Sequence, residues 1–182
     1  MANMDNVKTP KENEKEGKRA FKAKKYDTAA KAFAGAAEGF SVAGDELTAA
    51  EMRNNQAVAL LQDSRPEEAM QALEGTDEIF AQAGDRQRQA MALGNRASVL
   101  EELSELEAAL AAYQQSASIF HEINAHEEYA QVMQFISGIK LRLKNPIGAL
   151  ASMENGLENI DRPNLKQRLV KRLLKIPNNF LK

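Results

Sequence analysis

The chain has 182 residues, 43% hydrophobic and 27% charged, with few glycines and prolines and no cysteine. That content suits an all-helical protein with a sizeable core, and it excludes disulfides, thiol catalysis and cysteine-based metal sites. The net charge of −2 is unevenly spread, +4 over residues 1–31, −13 over residues 32–161 and +7 over residues 162–182, and this acidic middle excludes a phosphate-binding face, so no nucleic-acid partner is expected.

Residues 1–10 are polar and read as a disordered N-terminal tail. From residue 11 to 162 the sequence repeats every 40 residues without an insertion. Ala29, Ala69, Ala109 and Ala149 form one column, Gly17, Ala57, Ala97 and Ser137 a second, Phe33, Leu73, Tyr113 and Met153 a third, and Phe40, Phe80, Phe120 and Ile160 a fourth. A segment repeated at this period is one supersecondary unit that buries its apolar face by stacking on its copies. Four such units are expected, each a pair of helices.

The second unit shows how. Leu47, Ala50, Ala57, Leu60 and Leu61 recur at helical spacing and predict a first helix over Glu46 to Gln62. Ser64-Arg65-Pro66-Glu67 fits a capping box with proline in the first turn, and Ser104 with Glu107 repeats it one period later. Met70, Leu73, Ile79 and Phe80 predict one continuous second helix, which Gly84-Asp85 ends with a left-handed stop and a new N-cap. The small columns let paired helices approach closely, and the Phe40 column seals each unit against the next.

Past Asp161 the register predicts a capping helix over residues 163–176, with Leu165, Leu169, Leu173 and Ile176 on one stripe covering the fourth unit. Pro177 ends it, leaving residues 177–182 as a tail. Its cations also fit an anionic membrane or an acidic partner.

The stretches Glu16-Gly17-Lys18-Arg19-Ala20-Phe21 and Tyr26-Asp27-Thr28-Ala29-Ala30-Lys31-Ala32-Phe33 carry a resemblance. The chain is similar to tetratricopeptide-repeat proteins of the 40-residue type, over residues 12 to 162. The resemblance implies an all-α, right-handed superhelical α-solenoid of four helix pairs plus the capping helix, nine helices in all. It also implies that the first helices line a concave, protein-binding groove.

By register, the groove positions are Asn54, Asn55, Val58 and Gln62 in the second unit, Asn95, Ser98 and Glu102 in the third, and Gln131, Gln134, Phe135 and Arg142 in the fourth. Lys18, Glu51 and Lys171 also fall on inward columns. Asn55 and Asn95 share a column, and an amide that donates and accepts suits a peptide backbone; the other reading is that they bond a neighbouring helix. Phe135 replaces asparagine there, either adding an apolar pocket or closing the groove. The five columns that clamp a terminal carboxylate in chaperone-binding relatives hold Glu14, Lys18, Asn55, Met91 and Asn95, of which only Asn55 matches.

Catalytic chemistry is sparse. His121 and His126 flank a turn without a completing carboxylate or cysteine, the pairs Glu101-Glu102 and Glu127-Glu128 splay apart on a helix, and phosphate loops are absent. No enzyme activity, cofactor or metal is expected. No apolar run approaches the roughly 18 residues of a membrane span, and no secretory signal is read, so a cytoplasmic adaptor that binds a segment of another protein is the leading expectation. The rivals are a scaffold in which copies dock end to end, and a peripheral membrane adaptor using the basic C-terminal helix.

Overall fold

The computed structural model describes residues 8–158, 160, 165 and 168–170. Among these lie nine helices and no strand: α1 Pro10–Lys22, α2 Tyr26–Val42, α3 Glu46–Gln62, α4 Pro66–Ala72, α5 Thr76–Gln82, α6 Arg86–Glu102, α7 Leu106–Glu122, α8 His126–Arg142 and α9 Pro146–Glu158. They pack neighbour on neighbour, α1 on α2, α2 on α3, α3 on α4 and α5, α5 on α6, α6 on α7, α7 on α8 and α8 on α9. The architecture is an α-solenoid.

Its punctuation is finer than 40 residues. A left-handed residue stands every 20 positions, at Lys24, Gly44, Ser64, Gly84, Ser104, Asn124 and Lys144, with φ between 57° and 78°. At each, the next residue's N–H reaches back across the helix end, as from Lys25 to Ala20 O (2.9 Å), Arg65 to Leu60 O (3.0 Å) and Asn145 to Lys140 O (2.8 Å). This is the Schellman closure. It corrects the capping boxes expected at Ser64 and Ser104: both serines lie at the left-handed position, and the N-caps are Arg65 and Glu105 without a side-chain hydrogen bond. A three-residue connection leaves no room for both roles, so the preceding helix takes the serine. The Gly84-Asp85 stop does form as expected, Asp85 accepting from Arg88 N–H at 2.9 Å.

A complete capping box does form where a tail was expected. Thr9 accepts from the Glu12 N–H and the Glu12 carboxylate accepts from Thr9 N–H, opening α1 at Pro10. The rest of the expected tail, residues 1–7, lies outside the described residues.

The second helix of the second unit is broken, contrary to the continuous helix expected. Gly75 adopts φ 70° between α4 and α5, and the Leu73 carbonyl accepts from both Thr76 N–H (3.1 Å) and Thr76 Oγ1 (2.9 Å). Thr76 stands in the column of Ala36, Ser116 and Gly156, is 1% exposed, and diverts the carbonyl from the helical ladder. The helix number matches expectation for a different reason: the break adds one, while the capping helix falls mostly outside the described residues.

The packing columns behave as expected, with Ala29, Ala69, Ala109 and Ala149 buried alongside Phe40, Phe80, Phe120 and Ile160. Gly17 shows why one column is small, since a Cβ there would stand 2.7 Å from the Phe33 ring. The core falls into two large clusters, one from Ala20 to Leu73 joined by Val99 of α6, the other from Ala90 to Ile139. Ala50, Phe80 and Ala92 form a small cluster between the second and third units. At the C-terminal end Val170 packs on Ala130, Leu157 and Ile160. Leu165 and Leu169, expected to cover the fourth unit, are exposed instead, and Leu173 and Ile176 lie outside the described residues.

Candidate protein-binding groove

Four columns run across the first helices α1, α3, α6 and α8 on one face. They hold Lys11, Glu51, Met91 and Gln131; Lys15, Asn55, Asn95 and Phe135; Lys18, Val58, Ser98 and Gly138; and Lys22, Gln62, Glu102 and Arg142. None of these residues is buried. The first unit therefore presents four lysines, at positions i, i+4, i+7 and i+11 of one helix face.

Polar pairs tie this row of helices together. Arg88 donates to Glu51 at 2.9 Å, Asn95 Nδ2 to Asn54 Oδ1 at 3.0 Å, and Arg142 to Glu101 at 2.8 Å. The two asparagines of the Asn55 column thus differ. Asn95 is committed through its amide to Asn54, which is only 7% exposed and sits between α3 and α6 rather than on the open face. Asn55 is half-buried and makes no side-chain hydrogen bond among the described residues. Gln62, Glu102, Gln131 and Gln134 are exposed.

At the third and fourth units the face carries a polar–aromatic contact. Ser98 Oγ lies 2.9 Å from the Tyr113 hydroxyl, and Tyr113, 2% exposed, carries the Phe135 ring stacked at 5.4 Å with planes 18° apart. Phe135 is stacked on Tyr113 yet stays 42% exposed, so both roles open to it, an apolar surface and a closed groove, remain proposals. Burial pushes the Tyr113 hydroxyl up to about 12, against the opposing hydrogen bond from Ser98.

At the first junction the face is open. Lys18, Phe21, Phe33, Asn55 and Val58 line a pocket of about 200 Å³ with Phe33 only 3% exposed at its floor, bringing two expected groove residues, Asn55 and Val58, together with two aromatics, Phe21 and Phe33, that are not among the expected groove positions. The signal was available in the register, since Phe33 follows the column of Tyr113.

The histidines stand apart, His121 edge-on to Tyr129 at 5.4 Å and His126 with a buried Nδ1 that has no hydrogen-bond partner among the described residues. Among the described residues no group of three or more His, Cys, Asp or Glu is placed to hold a metal ion, and no helix is long and apolar enough to cross a membrane.

Residues 8–175 of this stacked helical repeat match the sequence model of the soluble NSF attachment proteins, SNAP. The chain belongs to the SNAP family. A search of curated proteins returns no match to the chain. SNAP proteins are attachment proteins by their own description, so the family is one of protein adaptors built on a helical repeat. The tetratricopeptide resemblance and the SNAP match share that repeat.

Proposed function

We propose that this chain is a non-enzymatic cytoplasmic adaptor whose first-helix face holds a segment of another protein. NSF, named in the family's description, is the partner on which to test it. The observation that carries the reading is the division of labour along the first helices. Asn54, Asn95, Glu51, Arg88, Glu101 and Arg142 are used to tie helices together, while Asn55, Met91, Gln131 and the lysines of α1 carry no such duty among the described residues. Exposed amides and long side chains on rigid helices offer donors, acceptors and apolar stems at low ordering cost. Calorimetric titration of purified NSF into the chain tests this. Binding should weaken by roughly 1–3 kcal/mol when Asn55, the uncommitted asparagine, is replaced by alanine, the effect of unpaired polar groups at an interface; unchanged affinity would remove the face from the site.

A specific observation favours a second reading, end-to-end self-association. Leu150 shares its column with Met70 and Leu110, which pack on large apolar clusters, yet it is 53% exposed beside Ile147 at 82%. Light scattering across a concentration series decides it: a monomer at every concentration rejects the scaffold.

A further inference from the structure

The pocket between α1 and α3 has a counterpart within the same chain. Two units further on, Lys18, Phe21, Phe33, Asn55 and Val58 correspond to Ser98, Glu101, Tyr113, Phe135 and Gly138. There Phe135, standing where Asn55 stands, lies on Tyr113, standing where Phe33 stands, with ring centroids 5.4 Å apart and planes 18° from parallel. The register thus places a ring, Phe135, at the position that Asn55 holds in the lining of the first-junction pocket.

We propose that the first-junction pocket receives an aromatic side chain from a partner segment, seated between Phe21 and Val58 above the buried Phe33, and that acidic residues flank that side chain. The inference rests on the groove reading above and adds what fills the groove. A volume of about 200 Å³ falls below the range of roughly 300–1,000 Å³ typical of small-molecule sites and suits a single side chain. Phe21 and Val58 supply apolar walls, and offset stacking of rings adds to burial. Charge selects the flanks. Lys11, Lys15, Lys18 and Lys22 stand exposed on the same face of α1, and among the described residues only Lys18 is paired, with Glu14. Phe180 of the chain's own tail is the competing ring, but residues 162–182 carry seven Lys or Arg and no Asp or Glu, so the lysine face repels it.

The probe is a fluorescein-labelled peptide Asp-Glu-Phe-Asp-Glu, with counterparts carrying Leu or Ala at the centre, titrated by anisotropy against the full chain. The Phe peptide should saturate, and the Ala peptide should bind at least about tenfold more weakly, as expected for loss of a buried anchor. Asn55→Phe builds into the first junction the ring that Phe135 supplies at the last; it should weaken the Phe peptide by a similar factor while the melting temperature holds or rises. Lys15→Glu should weaken binding and reduce its salt dependence. If Asn55→Phe unfolds the chain, the Val58 methyl resonances of the unmodified chain replace it, and they should move upfield with the Phe peptide and not with the Ala peptide.

Equal binding of Phe and Ala peptides, no saturation at millimolar concentration, undiminished binding to folded Asn55→Phe, or unmoved Val58 methyls would overturn the proposal. Tighter peptide binding by Phe180→Ala would overturn it in favour of the chain's own tail. If NSF is lost on Asn55→Ala while the peptides bind alike, the pocket fails and the groove stands. Discrimination between peptides with NSF binding unchanged fails the groove reading and leaves the pocket.

Discussion

Tyr113 and Ser98 share a hydrogen bond of 2.9 Å between α7 and α6, under the ring of Phe135. Because the folded state holds the Tyr113 hydroxyl neutral up to about 12, against an ordinary value of 10.0, ionisation favours the unfolded chain. The stabilisation is fully present below pH 10 and is lost as pH rises from 10 towards 12. Urea denaturation across that window should show a steep fall in stability. Tyr113→Phe should flatten it at some loss near neutral pH, and an equally steep fall in that variant would place the cause elsewhere.

The unequal burial of the asparagines separates their variants. Asn95→Ala strips the buried Asn54 of its partner and should cost roughly 1–3 kcal/mol of stability, whereas Asn55→Ala, with no such partner, should stay within about 0.5 kcal/mol. Chemical denaturation of the two single variants measures both, and equal losses would mean that Asn55 also carries a structural bond.

The left-handed turns give a third test. Ser104 and Lys144 occupy φ 64° and 58°, where a side chain is strained by about 1 kcal/mol, while Gly44 and Gly84 fill the equivalent places without strain. Ser104→Gly and Lys144→Gly should raise stability by up to about 1 kcal/mol, and Gly84→Ala should lower it by a similar amount. A destabilised Ser104→Gly would show that the serine hydroxyl contributes more than the turn loses.

Gly17→Ala should destabilise by roughly 1–3 kcal/mol through overpacking, since the new Cβ would meet the Phe33 ring at 2.7 Å. Because Phe33 also lines the pocket, the same variant should alter peptide binding. Thermal melts paired with the anisotropy titration would detect both effects, and an unchanged melt would mean that Phe33 swings aside freely.

What the sequence revealed and what it hid follow from how each feature is imposed. Stacking dictates side-chain size, so the Ala29, Gly17 and Phe40 columns were legible in the bare register. The turns were misread because Ser64-Arg65-Pro66-Glu67 satisfies two local rules, and only the length of the connection decides between them. The 20-residue spacing of Gly44 and Gly84 with Lys24 and Ser64 was the missed signal. Gly75 escaped notice because it stands in the column of Gly35, which is helical; the neighbour that differs is Thr76. Asn54 was assigned to the open face along with Asn55, although 100° of helical rotation separates adjacent residues and turns Asn54 inward. Val170, rather than the more regular Leu165 and Leu169 stripe, carries the contact at the C-terminal end, and nothing in its spacing set it apart.

The interruption at Gly75 has a mechanical meaning. It lies beside the place where one large apolar cluster gives way to another, the gap spanned by the small cluster of Ala50, Phe80 and Ala92 with Leu47 and Ile79, by Val99, and by the polar pairs Arg88–Glu51 and Asn95–Asn54. A solenoid's stability is a sum of its units and the couplings between neighbours, so a joint that carries a helix break and the smallest of the apolar clusters there is expected to be its compliant point. Under tension in an optical trap the array should yield first between α4 and α6, in two steps rather than one. Gly75→Ala, by penalising the left-handed residue, should lower the force of the first step while leaving the second in place.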